Sequence, residues 1–274
     1  MGVDKIIAID LGGTNLRVSL VEKNCIVEYH KEKTPKTQNE ILEKMCEMIS
    51  SLMDKDVIGI GVSSPGPLQD GIIKNPPNLP IRNFDLKKYL VKRFKIHVEV
   101  ENDANCVALA EARMGVRKRN IIVITLGTGV GGGVIMNNEL YLGQGYGGEL
   151  GHIVLHNGKD LETLWQEKAK LIKKYFKKDM YVSEVLKKGG PNAKIILDYL
   201  ATYIGQGVGS LVNVFDPELV VLTGGVRECG SKLLKPIQQK VYEYSKLPRK
   251  TKIVWSRLDH PGSLGASLLV RNRN

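Results

Sequence analysis

Cysteine is scarce in this chain. Cys25, Cys46, Cys106 and Cys229 are the four present, they lie far apart, and no two stand at metal-type spacing. That pattern argues against a metal or disulfide framework and fits reduced, mostly buried thiols in a cytoplasmic protein. Met1 is followed at once by a strand pattern, so no secretory signal is expected. Long apolar runs are also lacking. The longest uncharged stretch, residues 120–138, is Gly-rich and shaped like a hairpin, which makes a poor membrane span. There is no G-x-x-x-x-G-K-[ST] run and hence no P-loop. The net charge of +11 comes without a helix-turn-helix, zinc-finger or RNA-binding signature. Its lysines and arginines are spread out, with local clusters at Lys87-Lys88, Arg117-Lys118-Arg119 and 170–178. A solvated basic surface is expected, with no nucleic-acid and no membrane partner. Such a surface biases the protein toward anionic small molecules without defining a site.

What the chain does have is a sentence written twice. Ile6-Ile7-Ala8-Ile9-Asp10-Leu11-Gly12-Gly13-Thr14 aligns without a gap onto Ile121-Ile122-Val123-Ile124-Thr125-Leu126-Gly127-Thr128-Gly129. Each copy is a β-branched run, a Gly/Thr loop, a second apolar run and a polar turn (Glu22-Lys23-Asn24, Asn137-Asn138-Glu139). That pattern predicts two β-hairpins with small-residue tips, and so two similar half-molecules. Facing each other across a cleft, the tips could hold the phosphates of one nucleotide. The length of 274 residues, with 42% hydrophobic and 25% charged content, suits a globular protein of two domains.

Periodicity fills in the rest. Ile41, Met45, Met48, Ile49 and Leu52 predict a helix over 37–53. Further helices are expected near 85–93, 101–114, 162–176, 181–188, 192–214, 230–246 and 262–271, alternating with strands at 57–62, 96–100, 120–126, 132–137, 139–143, 219–223 and 251–256. Alternation of this kind predicts an α/β chain with mixed, helix-covered sheets. Domains are expected at 1–115, with the terminal helix 260–274 packing on it, and at 116–259.

Four motifs carry chemistry. In Asp10-Leu11-Gly12-Gly13-Thr14-Asn15 the glycines let backbone N–H groups approach a phosphate, Thr14 and Asn15 add side-chain donors, and Asp10 at a strand end suits a metal bound to phosphate oxygens. A plain hairpin turn is the alternative. The second tip contains G-x-G-x-x-G at Gly127, Gly129 and Gly132, but it runs on as Val134-Ile135-Met136 rather than opening a helix, so a dinucleotide turn is rejected. In Glu101-Asn102-Asp103-Ala104-Asn105, Asp103 reads either as a helix N-cap or as a general base for phosphoryl transfer to an alcohol. In Gly148-Glu149-Leu150-Gly151-His152, with Glu162 beyond, carboxylates and an imidazole among glycines suit contacts to vicinal sugar hydroxyls.

Together with Pro76–Pro80 and Leu222–Val226, these motifs resemble, in order and over nearly the whole chain, the ROK family (repressor, open reading frame, kinase). The resemblance implies an actin-like ATPase fold of the actin/sugar-kinase/Hsp70, ribonuclease H-like type, with two duplicated domains around a cleft. It implies an enzyme that transfers the γ-phosphoryl group of ATP, with Mg²⁺, to a hexose. Asp103 would be the catalytic base for the sugar 6-hydroxyl. Asn102, Glu149, His152 and Glu162 would hold hydroxyls, with Gly66 and Asn78 nearby. Asp10 would support Mg²⁺ through phosphate or water, Gly12–Asn15 and Gly127–Gly129 would grip phosphates, and Gly224-Gly225 would line the nucleotide side. One departure stands out. Most members follow the Gly-His segment with a Cys-rich zinc loop, whereas here Gly151-His152-Ile153-Val154-Leu155-His156-Asn157-Gly158-Lys159 passes straight to Asp160-Leu161-Glu162-Thr163. No structural zinc is expected, and His152 keeps only its sugar role. The expected activity is that of a glucose-type 6-kinase, with an N-acetylmannosamine or other N-acetylhexosamine kinase as the alternative. More distant is a non-catalytic sugar-responsive regulator, which in this family normally carries a DNA-binding domain ahead of the first motif. A homodimer or homotetramer is the expected assembly.

Overall fold

The computed structural model describes residues 4–271; positions 272–274 of the expected terminal helix lie outside the described residues. The chain divides into two units. The first, which runs to Arg117, begins with β1 (Lys5–Leu11), β2 (Asn15–Glu22), β3 (Cys25–Lys33), α1 (Gln38–Leu52) and β4 (Val57–Ser64). The short strands β5 (Leu68–Gln69), β6 (Ile72–Ile73) and β7 (Phe84–Asp85) follow, then α2 (Leu86–Phe94), β8 (His97–Asn102) and α3 (Asp103–Arg113). The second unit holds β9 (Ile121–Leu126), β10 (Val130–Met136), β11 (Glu139–Leu140), a 3₁₀ turn at Leu150–His152, β12 (Val154–His156) and β13 (Lys159–Asp160). It continues with α4 (Leu161–Phe176), α5 (Val182–Lys188), α6 (Gly190–Phe215), β14 (Leu219–Thr223), α7 (Ser231–Tyr244) and β15 (Lys252–Trp255). Leu142–Gly147 and the terminal α8 (Pro261–Arg271) group with the first unit.

The internal duplication is visible strand by strand. One five-stranded sheet runs β3-β2-β1-β4-β8, the other β11-β10-β9-β14-β15. In each, an antiparallel hairpin is extended by parallel strands. The polar turns of both copies have the same geometry. Lys23 and Asn24 lie at φ 46° and 68°, Asn137 and Asn138 at 54° and 70°. Two successive positive φ values make the hairpin turn whose twist matches the strands.

Each unit has its own core. In the first, Ile7, Ile9, Val18, Ile60 and Val62 of the sheet pack with Ile41, Met45 and Ile49 of α1. That helix is closed at its start by a capping box, Thr37 with Glu40. In the second, Ile122, Ile124, Val220 and Leu222 pack against α6 and α7. The length and composition of α6 would suffice to cross a membrane, yet Ile196, Leu200, Ile204, Val208 and Leu211 are buried in this core. Three of the cysteines, Cys46, Cys106 and Cys229, are buried, and all four are free thiols.

Candidate active site

In the first unit the sheet register sets the site. Parallel pairing aligns Asp10 with Ser63, Ser63 with Glu101, and Ser64 with Asn102. Asp10, the β4 end and the Glu101–Asp103 segment therefore emerge at the same carboxyl-terminal edge of adjacent parallel strands, where open α/β sheets place their ligands.

Asp10 is half-buried. Burial raises its carboxyl above the ordinary carboxylate value, while Arg17 and His260 pull the other way. Arg17 Nη1 donates to Asp10 Oδ2 at 2.9 Å. The first tip closes on itself: the Gly12 N–H donates to the Asn15 carbonyl at 2.9 Å, and the Thr34 hydroxyl to the Gly12 carbonyl at 2.5 Å. Gly13 and Thr14 stand exposed at its crest. A Cβ on Gly13 would lie 2.8 Å from the Asn78 Cβ, so the absence of a side chain there brings Asn78 to the tip. Arg82 Nη1 holds the Asn78 loop by bonding the carbonyls of Leu79 and Ile81 at 2.6 and 2.8 Å.

The helix cap is Asn102, and Asp103 is the first helical residue. Asn102 Oδ1 accepts from the N–H groups of Ala104 and Asn105 at 2.9 and 3.3 Å, and its Nδ2 donates to the Gly66 carbonyl at 3.3 Å. Gly66 is at φ +87° and its Cα faces Pro76, where a Cβ would come within 2.7 Å. Asp103 Oδ1 accepts from the Ala104 N–H at 2.8 Å. Glu101 Oε1 ties the turn together through the Asn102 N–H at 2.7 Å and Asn105 Nδ2 at 3.1 Å. Beneath them burial pushes the Cys106 thiol well above its ordinary value, with Glu101, Asp103 and Asp10 adding to the rise.

In the second unit the tip is likewise self-closed, the Gly127 N–H donating to the Gly129 carbonyl at 3.0 Å, with Gly127 and Thr128 exposed. Glu162, in the first turn of α4, stands directly behind it. Its Oε2 accepts from the Val130 N–H at 3.0 Å, and a Cβ on Gly129 would meet that oxygen at 2.7 Å. Gln166 Nε2 donates to Glu162 Oε1 at 3.0 Å. Gly224, at φ +105°, lies against the Leu126 carbonyl, where a Cβ would come within 2.2 Å; Gly225 has open space around its Cα. Glu149 and His152 are exposed at the two ends of the 3₁₀ turn.

His152 is held by a partner that no sequence motif reveals. Its Nδ1 lies 2.8 Å from Asp160 Oδ2, and Asp160 Oδ1 caps α4 by accepting from the Thr163 N–H at 2.8 Å. One carboxylate thus orients the imidazole and anchors the helix that carries Glu162. The β12–β13 hairpin, turning at Asn157-Gly158 with φ 48° and 73°, brings Asp160 back to His152. Among the described residues no three His, Cys, Asp or Glu side chains gather to hold a metal ion. A closed zinc site takes four protein ligands, and His152 has Asp160 beside it at 2.8 Å as its one acidic hydrogen-bond partner among the described residues. Mg²⁺ is different, since it is bound through one or two carboxylates plus phosphate oxygens and water. The single carboxylate of Asp10, beside the first Gly/Thr tip, fits that donor set. Arg17, Arg82, Asp160, Trp165 and Gln166 escape a reading of the sequence alone. Only the capping pattern Asp160-x-x-Thr163 carries a local signal.

The His152–Asp160 pair has a pH signature. The Asp160 bond raises the imidazole above its ordinary value, against burial. Burial works upward on Asp160, but its bonds to His152 and Thr163 leave it lowered. A raised imidazole contributes stability below its unfolded value of about 6.5 and loses it as pH rises through the folded value. A lowered carboxyl contributes above about 3.9 and loses it as pH falls through the folded value. Asp160→Asn keeps the helix cap and removes the charge. Its melting temperature is expected to fall below wild type mainly between about pH 4 and pH 6.5. The gap should be small, because the His152 side chain is 60% exposed, and it should close in mild alkali. A gap independent of pH would show that the pair is not ionic.

Two sheets of identical strand order, each led by a Gly/Thr hairpin tip, are the architecture of the actin-like ATPases. The chain belongs to the ROK family, whose model matches residues 6–273. The glucokinase of Thermotoga maritima is 29% identical, with 98% of each chain covered. The xylose repressor of Caldicellulosiruptor bescii is 28% identical over 89% of this chain and 71% of its own length. Among solved structures, a ROK family glucokinase from Streptomyces griseus in complex with glucose and AMPPNP matches with a TM-score of 0.85 at 27% identity, covering 98% of this chain and 99% of that one.

Proposed function

We propose that this protein is an ATP-dependent hexose 6-kinase, with glucose as the first substrate to test. The observation that carries the reading is the strand-end cluster of the first unit, which sets Asp103 at the head of α3 while the register puts Asp10 at the same edge of the sheet. Phosphoryl transfer to an alcohol needs such a carboxylate within hydrogen-bond reach of the hydroxyl. The sugar 6-oxygen attacks the γ-phosphorus, its proton passes to Asp103, and the bond from the γ-phosphorus to the β–γ bridging oxygen breaks to release ADP.

The other roles follow from what each group has left to offer. The Gly12 and Gly127 N–H groups close their own tips, so Gly13, Thr14, Thr128 and Gly129 supply the phosphate donors, with Asn15 beside them and Gly224-Gly225 on the nucleotide side. Asp10 holds Mg²⁺ through phosphate or water; when bound, the ion neutralises phosphate charge. By their likeness to the family motifs, Gly66, Asn78, Asn102, Glu149, His152 and Glu162 are assigned to the sugar hydroxyls. With Nδ1 turned to Asp160, His152 has Nε2 for a hydroxyl. The glucokinase relatives support a sugar kinase, and the glucose and AMPPNP complex of the Streptomyces griseus enzyme supports glucose and ATP.

The test is ADP release in a coupled assay against a panel of hexoses and N-acetylated hexosamines. Turnover with glucose above the other sugars is expected. Preference for N-acetylmannosamine would move the assignment to the hexosamine kinases. No ADP release with any sugar, alongside measurable sugar binding, would favour a regulator, the reading that the xylose repressor relative supports.

A further inference from the structure

Lys168 lies one helical turn beyond Trp165 on α4. Its ammonium sits over the indole, 3.7 Å from the ring centroid, and donates to the Trp165 carbonyl at 3.0 Å. The indole N–H donates to the Gly127 carbonyl at 2.9 Å. Trp165 is 2% exposed, so the ring is a fixed plate with the Gly/Thr tip at its edge and a lysine on its face.

That lysine is short of a counter-charge. Burial lowers the ammonium to about 8, and among the described residues no carboxylate forms an ion pair with it. The carboxylates nearest in sequence are engaged elsewhere. Glu167 Oε1 accepts from Lys159 at 2.7 Å and its Oε2 from the Tyr199 hydroxyl at 3.4 Å, while Glu162 accepts from Val130 and Gln166. A desolvated ammonium without a carboxylate is costly. A cation–π contact orients it without neutralising it. An oxyanion arriving at the adjacent tip would supply the missing charge.

We propose that Lys168 binds a phosphate oxygen of the phosphoryl donor, with Trp165 as the plate that holds it beside the Gly127–Gly129 tip. This rests on the reading of that tip as a phosphate cradle. The ligand chemistry is a chain of linked phosphates, which a nucleoside triphosphate and inorganic polyphosphate share. Lysine serves here as a point charge, and the rigid indole restricts where that charge can go.

The test is calorimetric titration of the intact protein with AMPPNP, ADP, adenosine, tripolyphosphate and glucose, for wild type, Lys168→Met and Lys168→Arg. Thermal melting checks that each variant is folded. Lys168→Met is expected to weaken AMPPNP and ADP about tenfold to a hundredfold, the scale of a lost hydrogen bond to a charged group. Adenosine and glucose affinities should hold, and Lys168→Arg should recover most of the loss. Tripolyphosphate bound by wild type and weakened in Lys168→Met would show that the phosphate chain suffices. AMPPNP bound through Lys168 without tripolyphosphate binding would make the donor a nucleotide. AMPPNP affinity unchanged in Lys168→Met overturns the proposal, as do equal losses for adenosine and AMPPNP. If wild type binds none of the phosphate ligands, the phosphate reading of the tip itself fails and the role of Lys168 falls with it.

Discussion

Asp103→Asn is expected to lower kcat by about 10²–10⁴ while leaving sugar affinity near wild type. The substitution is close to isosteric. The side-chain oxygen that accepts from the Ala104 N–H at 2.8 Å is retained, so the first turn of α3 keeps its bond. The cap belongs to Asn102, and the brace from Glu101 to Asn102 and Asn105 does not involve Asp103 Oδ1. What disappears is the capacity to take the hydroxyl proton. Activity would be followed by ADP release, and sugar binding by calorimetry with AMPPNP present. Near-normal turnover in the variant would remove Asp103 as the base. A parallel loss of sugar affinity would instead mark it as a binding residue.

Much of the fold is legible in the sequence because the repeated unit is local. β-Branched runs, Gly/Thr tips and paired positive-φ turns at Lys23-Asn24 and Asn137-Asn138 lie within about twenty residues of one another in each copy. Helix α1 is equally plain, since its apolar spacing and capping box are both local signals. Strands β5, β6, β7, β12 and β13 are not foreseeable. At two or three residues each they carry no periodicity, and they exist only where a partner strand supplies the hydrogen bonds. The Gly-rich stretch after β11 reads as one loop. In the structure Leu142–Gly147 groups with the first unit and Leu150–His152 forms a 3₁₀ turn in the second.

The candidate site divides in the same way. Motif residues such as Asp10, Asn102, Asp103 and the tip glycines can be named because their chemistry is written in consecutive letters. Their partners cannot. Arg17 reaches Asp10 only through the β1–β2 register, and Trp165 reaches Gly127 across thirty-eight positions. Asp160 finds His152 because a two-strand hairpin folds back. The sequence also leaves open whether Asp103 is a cap. Resolving that requires seeing the Asn102 side chain bonded to two successive amides of α3.

The second large effect expected is on stability. Gly265→Ala should destabilise the protein by about 3 kcal/mol, at the upper end of what overpacking costs. Helix propensity alone predicts the opposite, because alanine is favoured over glycine inside a helix by about 1 kcal/mol. Packing decides the sign. A Cβ on Gly265 would lie 1.8 Å from the Cys106 carbonyl oxygen and 2.3 Å from its carbon. On the neighbouring side a Cβ on Gly61 would meet the Ala266 carbonyl at 1.9 Å. Helix α8 is therefore seated against α3 and β4 through backbone atoms, which have no rotamer to turn away. Relief requires α8 or α3 to shift bodily, and Cys106 is only three residues beyond Asp103. Activity should therefore fall along with stability. Gly225→Ala is the control, since a Cβ there would have nothing within 4 Å and no comparable loss of stability is expected. Denaturant unfolding followed in both variants reads the comparison. If Gly265→Ala unfolds at the wild-type midpoint, the close backbone crossing of α8 and α3 is not what secures the carboxyl-terminal helix to the first unit.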